Sequence, residues 1–263
     1  MNWLEALPDN RRRGSYPRCL VLMEGNHRNV ASRLTEMVGL AEVEVRKDDF
    51  WMPQGLPMRI NAEKWDLSPT REAKLGEDEG LLRTKYQNSV TKWWLEVIPR
   101  ANTPNWDIAS TCRINGEKGM LLVEAKAHDR ELSSSGKRPP TTANGIKNHE
   151  KIGKAIKQAS DDLNRISVGW KLSRDSHYQL CNRFAWSWKL AKLGIPVILV
   201  YLGFLHADEM ADQGKPFVDH LAWLSAVSEN ARGFVPDSAW DCSLMVDGTP
   251  MWTLIRSYEV KLQ

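Results

Sequence analysis

The strongest constraint on the fold is one unbroken apolar run, Ile195 to Leu205, in which no charged residue occurs. It is rich in β-branched and aromatic residues, and an extended segment of that composition can turn neither of its faces to water. The run from Pro196 to Phe204 therefore reads as a strand buried on both sides. It is too short for a membrane span, which needs roughly 20 apolar residues, and Pro196 and Gly203 interrupt it. A sheet with helices on both faces is the architecture that buries such a strand.

The rest of the sequence supplies those helices. Apolar residues recur at helical spacing at Val30, Leu34, Met37 and Val38, ended by Gly39. They recur again between Glu79 and Ile98, at Leu82, Tyr86, Val90, Trp93, Trp94 and Val97, with Pro99 as the stop. Further helices are expected around Ile152 to Leu163, from Tyr178 to Leu193 before Gly194 and Pro196, and from Val218 to Asn230. Strand-like runs lie at Cys19 to Met23 and at Val43 to Arg46. Trp106 to Ile114 and Met120 to Ala127 form a pair of runs joined through Asn115-Gly116, and this reads as a hairpin. A second pair, Ser243 to Val246 and Met251 to Val260, is joined by Asp247-Gly248. The order of helix, hairpin, two helices and strand predicts an α/β fold with a mixed sheet flanked by helices. Residues 50–78 contain Pro53, Pro57 and Pro69 and read as a long irregular connection. They divide an N-terminal extension, 1–75, from a main domain, 76–263. Residues 129–148, rich in Ser, Lys, Pro and Thr, read as a mobile loop.

Composition narrows the function. A chain of 263 residues holds one large domain or a domain with an appendage. With 36 basic and 33 acidic residues the net charge is +3, too weak to argue for nucleic acid by itself. Cys19, Cys112, Cys181 and Cys242 include no C-x-x-C pair, so a zinc knuckle or thioredoxin-like motif is not expected. No apolar stretch follows Arg11, Arg12 and Arg13 to act as a signal peptide, which points to a cytoplasmic protein with no membrane association. Phosphate-binding glycine loops and the G-x-S-x-G nucleophile turn are absent from the sequence. Most of the 12 tryptophans are expected in the core.

The candidate site is the hairpin. Asp107 opens its first strand, and Glu124-Ala125-Lys126 ends its second. Side chains alternate along a strand, so Glu124 and Lys126 project from one face, and the hairpin can bring Asp107 beside them. Two carboxylates side by side raise each other's pKa, and a hard dication relieves that strain. Such an ion, with an ammonium beside it, suits hydrolysis of a phosphodiester. E-x-K also occurs at Glu72/Lys74 and at Glu259/Lys261. The first follows no apolar strand and reads as a solvated charge pair. The second has Asp241 upstream across a hairpin-like pattern and is a rival, although the sequence given ends at Gln263. An ordinary edge hairpin with charged residues on its wet face is the alternative for all three positions.

Asn105-Trp106-Asp107-Ile108-Ala109 followed by Leu121-Leu122-Val123-Glu124-Ala125-Lys126 resembles the PD-(D/E)XK nuclease superfamily, with Trp106 at the position of the family's proline. The resemblance implies a restriction-endonuclease-like fold of α-β-β-β-α-β order, whose first strand falls to Val97–Ala101 or to Val43–Arg46. It implies that Asp107 and Glu124 bind Mg²⁺, or Mn²⁺ as a substitute, and that Lys126 assists the attacking water. It also implies an added acidic residue from the preceding helix, for which Glu79 is the best match, with Gln87 and Glu96 behind it. The expected activity is metal-dependent hydrolysis of DNA phosphodiesters. The sequence does not separate DNA from RNA, and a homodimer is allowed. Gln158, Gln179, Asn182 and Arg183 are candidates for contacts to a phosphate backbone, as are Lys137, Arg138, Lys147, Lys151 and Lys154. His128, just beyond the strand, is a candidate for tuning the site. The alternative function is a catalytically inactive protein of this fold that binds nucleic acid or another protein.

Overall fold

The computed structural model describes residues 2–262. A single turn, α1 (Trp3–Ala6), precedes helices α2 (Ser15–Leu22) and α3 (His27–Val38). Four two-residue strands follow, β1 (Val43–Glu44), β2 (Trp51–Met52), β3 (Met58–Arg59) and β4 (Trp65–Asp66). Then come α4 (Thr84–Trp94), the hairpin β5 (Ile108–Ile114) and β6 (Glu117–Lys126), and the helices α5 (Ala143–Ile166) and α6 (Tyr178–Lys192). Strand β7 (Val197–Leu205), helix α7 (His220–Ala231), β8 (Cys242–Val246) and β9 (Thr249–Glu259) complete the chain.

Among the described residues, seven strands form one mixed sheet in the order β1-β5-β6-β7-β9-β8, with β2 also paired to β5. Strands β6, β7 and β9 run parallel, and the hairpins β5–β6 and β8–β9 are antiparallel. The apolar run lies at the middle of this sheet, as its composition demands. Val197, Leu199 and Tyr201 face one hydrophobic layer, while Ile198, Val200, Leu202 and Phe204 face the other. Helices α4, α5, α6 and α7 contribute to the first layer, and α2 and α3 to the second. The turn Asn115-Gly116 has both residues at positive φ, 52° and 80°, the left-handed geometry that suits the twist of a tight hairpin.

Within residues 2–75, α2, α3, β1 and β2 pack on the core. Helices α2 and α3 cover one face of the sheet, and β1 and β2 extend it. The run at residues 19–23 is the latter half of α2 and its end, not a strand. A short apolar run carries no period of its own, and Val21 is its one β-branched residue. Asn26 caps α3 by accepting the Asn29 N–H at 3.0 Å, and Gly39 ends it at a φ of 66°. Helix α4 starts at Thr84, five residues later than the periodicity suggests, because Lys74 to Gly80 close turns around Asp78. Helix α5 starts at Ala143, inside the stretch expected to be a loop, with Thr142 as its cap. Trp94, Trp106, Trp186, Trp188 and Trp223 are all fully buried. At 150–250 Å² each, such side chains each remove apolar surface worth about 4–6 kcal/mol.

Candidate active site

The register of the hairpin builds the site. Ile108 pairs with Val123, so the next pair outward sets Asp107 opposite Glu124, and opposed residues of an antiparallel pair share a face. Asp107 Oδ2 accepts the Ala125 N–H at 2.7 Å, which ties the two strand ends together. Glu124 and Lys126 lie on the face covered by α6, and that helix brings Arg183 down to them. One oxygen of Glu124 accepts Lys126 Nζ and the other accepts Arg183 Nε. The Arg183 guanidinium lies 4.5 Å over the Trp106 ring and donates to Asn182 Oδ1 at 3.1 Å. Trp106 is thus the platform for this arginine.

Electrostatics separate the two carboxylates. Burial opposes ionisation of Glu124, but Arg183 and Lys126 outweigh it and hold the carboxyl below its usual range. Asp107 is pushed up to about 7, first by burial and then by the Glu124 charge, against Lys126, the Ala125 amide and Arg183. Burial works to discharge Lys126, yet Glu124 and Asp107 keep its pKa above the ordinary value, so it remains an ammonium.

Asp107 stands at the wall of an open cavity of about 560 Å³, whose lining includes Glu72, Asn105, Lys137, Gln179, Asn182 and Arg183. Glu124, 1% exposed, lies beneath. Of the residues expected at the site, Asp107, Glu124, Lys126, Lys137, Gln179, Asn182 and Arg183 therefore come together. Glu79 does not. It sits in an exposed turn that lines a separate cavity with Lys118 and Gly119, at the far end of the hairpin, roughly 17–20 Å along the strand from Glu124. Gln158 is also elsewhere: on α5 it accepts the Trp93 indole N–H at 3.0 Å. Arg138 and Lys147 are exposed outside the cavity lining, and Lys151 pairs with Glu96 at 3.4 Å. His128 is buried, its Nδ1 against Gly214. The rival pair separates as well, because Asp241 is bound by Arg256 at 2.6 Å whereas Glu259 lies at the end of β9 beside Leu205.

Sequence reasoning passed over Glu72. Ala73 and Trp106 exchange backbone hydrogen bonds of 3.1 and 2.9 Å, which places Glu72 next to Asp107 in the same ladder. Its Oε2 accepts Asn105 Nδ2 at 2.9 Å and lies 3.6 Å from Arg11. Nothing local signals this, because Glu72-Ala73-Lys74 is polar and the pairing spans more than thirty residues of chain.

The chain matches no family model, no curated protein and no solved structure. Whether these residues fit a metal is decided by their own chemistry. Among the described residues Asp107 Oδ1 has no hydrogen-bond partner, and burial together with the Glu124 charge raises the carboxyl pKa despite Lys126 and Arg183. Mg²⁺ takes one or two protein carboxylates and fills its shell with water and phosphate oxygens; Asp107 fits this with its open oxygen, whereas Glu124 could join it only by giving up Lys126 or Arg183. An all-protein cage does not fit, since among the described residues no three His, Cys, Asp or Glu side chains group to hold an ion.

Proposed function

We propose that the protein is a metal-dependent nuclease that hydrolyses DNA phosphodiester bonds. The observation that carries this reading is Asp107 set opposite Glu124, with Lys126 two residues on, beside an open cavity lined by donors and cations. The sheet supports a restriction-endonuclease-like assignment. A helix, α4, precedes the hairpin, β1 pairs with β5, and two helices lead from β6 to a parallel β7.

On this reading Asp107 and Glu124 hold Mg²⁺. The ion, when bound, lowers the pKa of a water and polarises the phosphoryl oxygen. Lys126, an ammonium under these conditions, does not take a proton; it donates hydrogen bonds that orient the water and offset negative charge developing on the phosphate. Arg183 holds Glu124 ionised and, stacked on Trp106, presents a fixed guanidinium edge to the cavity. Lys137 and Gln179 face the strand's phosphates, and Glu72 stands where an additional acidic group would be needed.

A second reading, a catalytically inactive nucleic-acid-binding or protein-interaction module, is favoured by one observation: both oxygens of Glu124 are already engaged by Lys126 and Arg183. Incubation of the protein with single-stranded, duplex and branched DNA, and with RNA, in Mg²⁺ or Mn²⁺ separates the two. Metal-dependent cleavage lost in both Lys126→Ala and Glu124→Ala is the expected result. Cleavage that survives both substitutions refutes the site, and binding without cleavage selects the second reading.

A further inference from the structure

The cavity beside Asp107 has a second wall that the hydrolytic residues do not use. Residues 133–138, expected to be mobile, are strapped across the start of α6. Ser134 O accepts the His177 N–H at 2.9 Å, Ser135 O accepts the Tyr178 N–H at 3.0 Å, and the Lys137 N–H donates to Arg174 O at 2.8 Å. Gly136 lies so close beneath that an added Cβ would stand 2.3 Å from the Asp175 carbonyl oxygen. Lys137 is consequently fixed, half-buried, with its ammonium 4.7 Å over the Tyr178 ring and, among the described residues, no carboxylate paired to it. Burial alone lowers its pKa, as expected of a cation without an anion.

Two further donors share this wall. Asn182 is only 4% exposed and lines the cavity. Its Oδ1 is taken by Arg183, while its amide NH₂ finds no acceptor among the described residues. The first turn of α6, a helix of 15 residues, leaves the Gln179 and Leu180 N–H groups without acceptors among the described residues, because His177 provides no side-chain cap. A buried amide donor, an unpaired ammonium and the positive end of a helix around one open cavity lack the same thing, an anion.

We propose that Lys137, Asn182 and the first turn of α6 form a subsite for a second phosphate of the strand being cut, separate from the phosphate held at Asp107 and Glu124. This deepens the nuclease reading and rests on it. The cavity, about 560 Å³, is large enough for a nucleotide-sized group. The phosphate is either internal to the strand or a terminal one, and the chemistry of recognition is the same for both.

The direct probe is inorganic phosphate, titrated into the full ¹⁵N-labelled chain without divalent metal. The Gln179 and Leu180 amides and the Asn182 side-chain amide should shift together, with at least about tenfold weaker binding in Lys137→Gln and retention in Lys137→Arg. Absence of those shifts, or binding unchanged by Lys137→Gln, overturns the subsite. The source is then read with labelled strands of one sequence in EDTA, carrying a 5′-phosphate, a 3′-phosphate or neither. A preference for one phosphorylated end that Lys137→Gln abolishes identifies a terminal phosphate. Equal affinities, with the slope of log K against log salt reduced by about 0.7 in Lys137→Gln, identify an internal one. Neither effect on any strand refutes the proposal. A protein that cuts nothing yet shows the phosphate shifts keeps the subsite and loses the nuclease reading; one that cuts without them loses the subsite alone.

Discussion

Replacing Asp107 with Asn should stabilise the protein at alkaline pH, although it removes a group assigned to the reaction. The Asp107 carboxyl titrates at about 7 in the fold against an ordinary 3.8. A raised carboxyl pKa means that the native state holds the proton more tightly than the unfolded chain does. Stability is then intact below pH 3.8, falls as pH rises toward 7, and stays at its lower level beyond. At 1.36 kcal/mol per tenfold, that separation is worth about 4 kcal/mol. Asp107 is only half-buried on an open cavity, and screening by water reduces the expected effect to about 2 kcal/mol. Asn keeps an oxygen to accept the Ala125 N–H, so the tie across the strand ends survives.

The assay is urea unfolding followed by tryptophan fluorescence, for the parent and Asp107→Asn, in EDTA at pH 4, 6 and 8. The difference between the proteins should be near zero at pH 4 and grow to about 2 kcal/mol in favour of Asn at pH 8. Other carboxylates titrate over this range, but they do so in both proteins and cancel. Mg²⁺ or Mn²⁺ at pH 8 should then narrow this difference. An ion at ten times its Kd adds about 1.4 kcal/mol to whichever protein binds it, and that should be the parent alone. A difference that does not vary with pH, or an Asn protein less stable at pH 8, would refute the placing of Asp107 as a carboxylate starved of charge.

The neighbouring carboxylate should behave in the opposite way. Glu124→Gln leaves the buried Lys126 and Arg183 without their counter-charge, and about 3–5 kcal/mol should be lost in the same urea experiment. Gly203→Ala puts a methyl 2.5 Å from the Trp223 ring, so a loss of about 1–3 kcal/mol is expected; unchanged stability would show that α7 is not seated as described. Gly136→Ala should push the strap off Asp175 and weaken phosphate binding severalfold with little change in global unfolding, which amide exchange at Lys137 and Tyr178 would report.

What the sequence could disclose was set by how local each signal is. The Val197–Leu205 strand and the β5–β6 hairpin were legible because a continuous apolar run and an Asn-Gly turn leave little conformational choice. From the hairpin alone, strand alternation places Asp107, Glu124 and Lys126 together. Helix α2 was misread because burial on nearly every residue from Pro17 to Leu22 leaves no polar face to give it a period. Glu79 was chosen on an extrapolated helix face, and the turns around Asp78 end that extrapolation. Glu72 and the strap at 133–138 depend on pairings with Trp106 and with residues 174–178, and pairings of this kind leave no mark in the segments that make them.

The charges at the site point to how its occupants must arrive on the proposed reading. Asp107 and Glu124, when ionised, balance Lys126 and Arg183, so a dication alone leaves an excess of two positive charges in a largely buried place. One phosphodiester restores half of that balance, and a second phosphate offsets the separate charge of Lys137. Metal and strand should therefore bind cooperatively, each improving the affinity of the other by the same factor. Titrating Mn²⁺ into the protein with and without a non-cleavable strand, then the strand with and without Ca²⁺ as a slow-reacting ion, measures the coupling from both sides. Lys137→Gln should reduce it while leaving the affinity for Mn²⁺ alone nearly unchanged, since Lys137 touches neither Asp107 nor Glu124. If metal and strand bind independently, the balance of charge described here is not what governs the site.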